Sequence, residues 1–223
     1  MISVIIPTYD NNEMLKNLLD KLDTQSVLPD EVIIIEDGPA DTQEIITNGN
    51  YFFKTTKIKH ETNIGVNASW NEGINHSKGE FICILNDDIM ISNEFIRKTL
   101  DTFNKDALNG IVVYRKSSLE EVDNEPEGIN YFSSVRRIGW AFSVRRKMMD
   151  LIMPIPTKGM KDFCGDDYIF SKCRSNGFRV AELLTCNVWH FGSASILKKY
   201  KVAKFARWSA RSEKNVYEEL KRK

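Results

Sequence analysis

Four times in the first hundred or so residues, a run of consecutive apolar residues gives way to a stretch with apolar positions every three or four residues. The runs are residues 2–6, 31–35, 81–85 and, more weakly, 57–60. Uninterrupted β-branched and apolar residues predict strands covered on both faces. Between the first two runs, Met14, Leu15, Leu18, Leu19 and Leu22 share one helical face, so a helix is expected to about Asp23. Pro29-Asp30 turns the chain into the second strand, and Asp41-Thr42 opens a short helix. Asn63-Ile64-Gly65 turns into a helix from about Val66 to His76, and another is expected over residues 93–103. Such alternation predicts an α/β fold with a mostly parallel central sheet and flanking helices.

The second half is less regular. Residues 110–115 read as a strand and 116–130 as an acidic loop. Phe132, Val135, Ile138, Trp140, Phe142 and Val144 then alternate loosely. After Pro154 and Pro156, Phe163-Cys164-Gly165-Asp166-Asp167-Tyr168 leads into a helix to about Ser175, with Gly177 as its C-terminal cap. The stretch 188–195 closes the globular part.

Composition refines this picture. The 223 residues are 42% hydrophobic, enough for one substantial core. The formal net charge of zero hides a division: residues 196–223 hold ten Lys or Arg against three Glu, +7, which leaves the rest at −7. Apolar residues lie among those basic ones (Ile196, Leu197, Tyr200, Val202, Ala203, Phe205, Trp208). An amphipathic helix at a membrane surface, packing back on the body, and a dimer contact are all open for this tail. No recognition motif supports nucleic acid. The four cysteines (83, 164, 173, 186) show no CxxC pairing, so neither structural zinc nor a disulfide framework is expected. No apolar run approaches the roughly 20 residues that span a bilayer. Met1-Ile2-Ser3 lacks the basic start of a signal peptide. The expected compartment is the cytoplasm, with the tail able to reach the inner face of a membrane.

Candidate chemistry gathers at strand ends. Residues 81–85 run straight into Asn86-Asp87-Asp88, and open α/β sheets bind ligands at the carboxyl ends of their strands. Adjacent carboxylates repel, so such a pair sits in solvent, starts a helix or faces a cation. Ser92, the nearer helix cap, leaves the pair open for a hard cation. With His190 and diphosphate oxygens, Asp88 would complete a shell for Mn2+ or Mg2+, although a single His more often serves as a hydrogen-bonded core residue. Asp166-Asp167 suits a first helical turn, worth about 0.3–1 kcal/mol, while one of the two can still project into a cleft. Asp37-Gly38-Pro39 is a strand-end acid or a simple turn. Neither GxGxxG nor a P-loop follows the first strand, which ends in Pro7-Thr8-Tyr9-Asp10.

In order along the chain, these pieces resemble a family 2 glycosyltransferase of the GT-A fold, over nearly everything up to Ser195. Val4-Ile5-Ile6-Pro7-Thr8-Tyr9-Asp10 resembles the family's opening strand and turn. Glu36-Asp37-Gly38-Pro39-Ala40-Asp41 resembles its Asp-Asp-Gly-Ser-x-Asp, which implies that Asp37 contacts the nucleotide base. Asn63-Ile64-Gly65 through Asn71-Glu72-Gly73 resembles Asn-x-Gly…Arg-Asn-x-Gly, with Trp70 in place of the Arg. Leu85-Asn86-Asp87-Asp88 stands where the family keeps Asp-x-Asp, and His190-Phe191-Gly192-Ser193 is similar to its late His-x-Gly-Ser. Gly165-Asp166-Asp167 resembles the Glu-Asp motif whose Asp is the catalytic base.

The resemblance implies one GT-A domain over residues 1–195, with a nucleotide-sugar half (1–105) and an acceptor half (106–195), then a basic tail. It implies inverting transfer of a sugar from a nucleotide diphosphate, UDP-linked ahead of dTDP or GDP, to a glycan or glycoconjugate hydroxyl. Asp167 would be the base, with Asp166 on the acceptor. Pro7, Thr8, Tyr9, Asp37, Asn71, Asn86 and Asp87 would hold the donor, ribose falling to Asn86 or Asp87. Asp88 and His190 would hold Mn2+ or Mg2+. Trp140 is expected to stack on the acceptor sugar or else to pack in the core. Two rival readings are a non-catalytic nucleotide- or sugar-binding module, which would not need Asp166-Asp167, and a nucleotidyltransferase, which would want a Gly-rich basic loop after the first strand.

Overall fold

The structure, a computed structural model, describes residues 1–122, 129–131, 139–192 and 203–221. The alternation at 132, 135 and 138, Ser193, and the tail over 196–202 lie outside the described residues, as do the side chains of Phe205 and Trp208. The strands are β1 (Ile2–Thr8), β2 (Glu31–Glu36), β3 (Lys54–Lys59), β4 (Phe81–Leu85), β5 (Ile89–Ile91), β6 (Asn109–Lys116), β7 (Ile129–Tyr131), β8 (Ala141–Arg145) and β9 (Arg179–His190). The helices are α1 (Asn12–Asp23), α2 (Gln43–Gly49), α3 (Val66–His76), α4 (Phe95–Lys105), α5 (Arg146–Met149), α6 (Gly165–Ser175) and α7 (Ala203–Lys221).

One sheet runs in the order β3-β2-β1-β4-β8-β6-β9-β5, with β7 beside β9. Strands β3, β2, β1 and β4 are parallel, as the alternation predicted. Beyond β4 the sheet turns mixed: β8 runs antiparallel to both β4 and β6, while β9 is parallel to β6 and antiparallel to β5 and β7. The uniformly parallel part of the sheet is therefore built by the first half of the chain, and in the second half only β6 and β9 pair in parallel among the described strands. Strand β9 is the main element the sequence pattern did not show. Its run Arg-Val-Ala-Glu-Leu-Leu-Thr-Cys-Asn breaks the alternation, and a register shift opposite Tyr114/Arg115 absorbs the irregularity.

Successive residues of the buried strands serve two cores. On one face Ile2, Val4, Ile6, Phe81, Cys83 and Leu85 meet Leu15, Leu18 and Leu22 of α1 and Phe95 and Phe103 of α4. On the other, Ile5, Ile33, Ile82, Ile84, Phe142 and Val144 meet Trp70 and Ile74 of α3 and Ile169 and Phe170 of α6. That two-sided burial is why these strands read as unbroken apolar runs. Helix α6 ends as expected: Gly177 takes a φ of 79°, its N–H donates to Arg174 O at 3.0 Å, and Phe178 N–H donates to Cys173 O at 3.1 Å, a Schellman closure. Helix α4 starts two residues later than expected, with Glu94 at its N-cap, and residues 89–91 before it form β5 against β9. All four cysteines are free and buried, and burial pushes the Cys83, Cys173 and Cys186 thiols up to about 12. No described helix is long and apolar enough to cross a membrane.

Candidate active site

The carboxyl ends of β1, β2 and β4 open on a cavity of about 240 Å³. Pro7, Thr8 and Tyr9 after β1, Asp37 after β2 and Asn86, Asp87 and Asp88 after β4 line one side. Gly139 and Trp140 lie before β8, His190 ends β9, and the segment from Asp162 to Asp166 leads into α6. Parallel strands deliver their ends to one edge of the sheet, so residues more than a hundred positions apart converge there.

Pairing between β5 and β9 sets the Asp88–His190 pair. Ile89 stands opposite His190, and Phe191 N–H donates to Asp88 O at 3.0 Å. The side chains then face each other, Asp88 Oδ1 to His190 Nε2 at 3.1 Å, with Asp88 only 2% exposed. Trp140 stacks on the imidazole, ring centroids 5.5 Å apart and planes 14° from parallel. One face of Trp140 is therefore committed to positioning His190. Its backbone O also accepts from Asn86 N–H at 2.9 Å, joining β4 to the turn before β8. The same turn approaches Asp166: a Cβ on Gly139 would lie 2.7 Å from Asp166 Oδ2.

Asp37 lines the cavity with its carboxylate engaged by the 60–65 segment. Its Oδ1 accepts from Ile64 N–H at 2.7 Å and faces His60 Nδ1 at 3.2 Å. Its Oδ2 accepts from Asn63 Nδ2 at 2.7 Å and from Gly65 N–H at 2.8 Å. A carboxylate has about four lone-pair sites, and here three take donors of the 63–65 segment while the fourth faces the His60 ring. Asp37 thus builds the cavity wall, and Gly65, with a φ of 94°, allows the turn that wraps it. Thr8 is likewise committed, its hydroxyl donating to Asp87 Oδ2 at 2.7 Å between the ends of β1 and β4.

Asn71 is a correction. It does not line the cavity: its Nδ2 donates to Ile155 O and its Oδ1 accepts from Ile155 N–H, both at 2.8 Å. It spends its whole amide on a distant loop. Asp167 too is absent from the cavity lining, whereas Asp166 is part of it. The sequence reading passed over Asn63, Val66, Ser69, Trp70, Asp162, Phe163, Cys164 and Gly165 as site residues, yet all line the cavity. The substitution at position 70 could have flagged one of them, since Trp70 stands where an Arg was expected; it packs edge-on against Phe142 at 5.4 Å.

Residues 3–166 match the sequence signature described as glycosyl transferase family 2. The chain belongs to that family. A Haemophilus influenzae uncharacterized glycosyltransferase is 31% identical over 131 residues, 59% of this chain and 42% of that protein. Among solved structures, S. aureus TarS 1–349 in complex with UDP superposes with a TM-score of 0.69 at 17% identity, over 84% of this chain and 60% of that one. The mannosyltransferase PcManGT from Pyrobaculum calidifontis, in complex with GDP-Man and Mn2+, gives 0.63 at 18%, over 82% and 56%. The likeness establishes the GT-A fold, and the chain spans between about two fifths and three fifths of these relatives' lengths.

In this family 2 chain the residues fit a divalent ion modestly. Among the described residues no three His, Cys, Asp or Glu converge on one point. The 3.1 Å between Asp88 Oδ1 and His190 Nε2 nevertheless suits two neighbouring ligands of one ion: bonds of about 2.1 Å at right angles put ligand atoms about 3.0 Å apart. An ion held by these two would take its remaining oxygens from a diphosphate or water.

Proposed function

We propose that the chain transfers a sugar, with inversion, from a nucleotide-diphosphate donor to an acceptor hydroxyl. The observation that carries this reading is one cavity that joins buried Asp88 and its half-buried partner His190 to a helix-start carboxylate, Asp166, on its acceptor side. The turn at Pro7, Thr8 and Tyr9 and the wall built on Asp37 hold the base, and Asn86 and Asp87 hold the ribose. UDP, UDP-GlcNAc and GDP-Man in the solved neighbours support a nucleotide-sugar donor. Asp88 and His190 would hold a divalent ion, and Mn2+ in the Pyrobaculum calidifontis mannosyltransferase complex is the supporting parallel. Such an ion, when bound, offsets negative charge on the departing diphosphate.

Asp166 accepts the proton of the acceptor hydroxyl as that oxygen attacks the anomeric carbon from the face opposite the diphosphate. One base suffices for a single inverting displacement. This moves the role by one residue from the Asp167 implied by resemblance, because Asp166 lines the cavity. Trp140 keeps His190 in place and offers the rest of its ring to the acceptor sugar.

The test is a donor-hydrolysis screen with UDP-, GDP- and dTDP-sugars, with and without Mn2+, reading released nucleotide diphosphate. Metal-dependent release from one donor, abolished in Asp88→Ala and His190→Ala, is expected. No release, together with no Mn2+-dependent binding of UDP, GDP or dTDP by calorimetry, would leave a non-catalytic module.

A further inference from the structure

The segment before Asp166 is held from two sides. Residues 162–164 line the cavity, yet no sheet hydrogen bond fixes them. From α3, Asn67 Nδ2 donates to Met160 O at 2.7 Å and Phe163 O at 3.1 Å. From α7, Glu213 Oε2 accepts from both Asp162 N–H and Phe163 N–H at 2.8 Å. Glu213 is only 6% exposed, and its other oxygen accepts from Ser209 Oγ one turn back at 3.1 Å. A carboxylate that takes two backbone N–H groups makes a charge-assisted clamp, stronger than neutral hydrogen bonds.

Apolar contacts close the arrangement. Val216, Tyr217 and Leu220 of α7 pack on Met160, Phe163, Cys164 and Tyr168, and Tyr217 O–H donates to Asp167 O at 3.2 Å. Over residues 209–221 the exposed positions are Arg211, Ser212, Lys214, Asn215, Glu219 and Lys221. No apolar face is left there for a lipid surface.

We infer that Glu213 is a positioning residue: α7 presses the 160–166 wall against α3 and so fixes where Asp166 meets the acceptor. This rests on the transferase reading above. Glu213 makes no hydrogen bond to the described ends of β1, β2 and β4. The 63–66 turn that wraps Asp37 meets the clamped segment through Val66 N–H to Asp162 Oδ1 at 3.3 Å and Lys161 Nζ to Asn63 O at 2.7 Å, so the nucleotide side should respond less than the acceptor side. A displacement near 1 Å at a reacting group costs on the order of 10²-fold in rate.

The experiment compares the full chain with Glu213→Ala and Glu213→Gln. Its readouts are UDP, GDP and dTDP binding, turnover of whichever donor of the panel is hydrolysed, and amide hydrogen exchange. In Glu213→Ala, turnover should fall by about tenfold or more, nucleotide affinity should stay within about twofold, and the 162 and 163 amides should exchange faster. Glu213→Gln, which keeps an oxygen for both N–H groups, should recover most of the turnover. Wild-type turnover in Glu213→Ala, unchanged exchange at 162 and 163, or equal loss in both variants would overturn the inference. So would a matching loss of nucleotide affinity. If Glu213→Ala does not fold, Glu213→Asp, one methylene short of the two amides, is put through the same assays. If the wild-type chain turns over no donor and binds none of UDP, GDP and dTDP with Mn2+, the transferase reading fails, while the exchange measurement still decides whether α7 holds the wall.

Discussion

Asp166 and Asp167 are neighbours in sequence with unequal access to the cavity. Asn preserves the shape of Asp while removing the charge that accepts a proton. Asp166→Asn should therefore lower donor turnover by on the order of 10²–10⁴-fold, and Asp167→Asn by less than about tenfold. Steady-state kinetics on the two variants decides the assignment, and the reverse order would return the role to Asp167. Gly139 offers an independent probe, because a methyl there would sit 2.7 Å from Asp166 Oδ2, closer than real Cβ contacts. Gly139→Ala should reduce turnover while UDP binding by calorimetry stays near wild type. If instead both fall together, the methyl has disturbed Trp140 and His190 as well as Asp166.

Strand β8 and helix α4 meet through one side chain. Arg145, 9% exposed, donates from Nε to Asn109 O at 3.1 Å and from Nη2 to Phe103 O at 2.6 Å and Asp106 O at 3.3 Å. Its guanidinium also lies 5.0 Å from the Phe81 ring centroid and 5.4 Å from that of Phe103. It thus supplies donors to Phe103 O in the last turn of α4 and to Asn109 O at the start of β6, while Asp106 O also accepts from Asn109 N–H at 3.0 Å. Arg145→Ala strands those buried carbonyls and should cost about 2–4 kcal/mol. A thermal melt should show a fall of several degrees, at about 2–4 °C per kcal/mol for a chain of this size. Lys should restore only part of this, since a point charge cannot serve a fork of acceptors. A melt unchanged in Arg145→Ala would show that water reaches these carbonyls.

For the molecule as a whole, acid sensitivity has an identifiable source in Glu36. Burial alone would raise its carboxyl, but Lys59 at 2.7 Å and the hydroxyl and N–H of Thr42, each at 2.7 Å, outweigh it and hold the group below its ordinary 4.5. A depressed folded-state value gives stability that is fully present above about 4.5 and is lost as pH falls through the lower folded value. Wild type should therefore melt at a nearly constant temperature from pH 7 to 5 and lose stability below that. Glu36→Gln should start lower and fall less steeply over the acid window. Parallel slopes for the two proteins would assign the acid sensitivity to other groups.

Much of the fold was legible because periodicity is a local property. Helix α3 spans Val66–His76 as its spacing predicted, and β4 spans its apolar run, since each needs only to know which of its faces are covered. The same local logic pointed to the strand-end acids, and the ordered motifs pointed to the family. Strand partnership is another matter. The pairing of β9 with β6 and β5, which brings His190 to Asp88, depends on contacts about 70 and about 100 residues apart that no local pattern records. Successive helical residues point about 100° apart, so only the docking of α6 decides that Asp166, not Asp167, faces the cavity. Asp37 and Asn71 illustrate the same limit, because a polar side chain's type does not say which donors and acceptors surround it. The basic tail could have met a lipid, a second copy or the body. Over its described half the body wins, because the N–H groups of Asp162 and Phe163 offer buried Glu213 the partners a carboxylate requires.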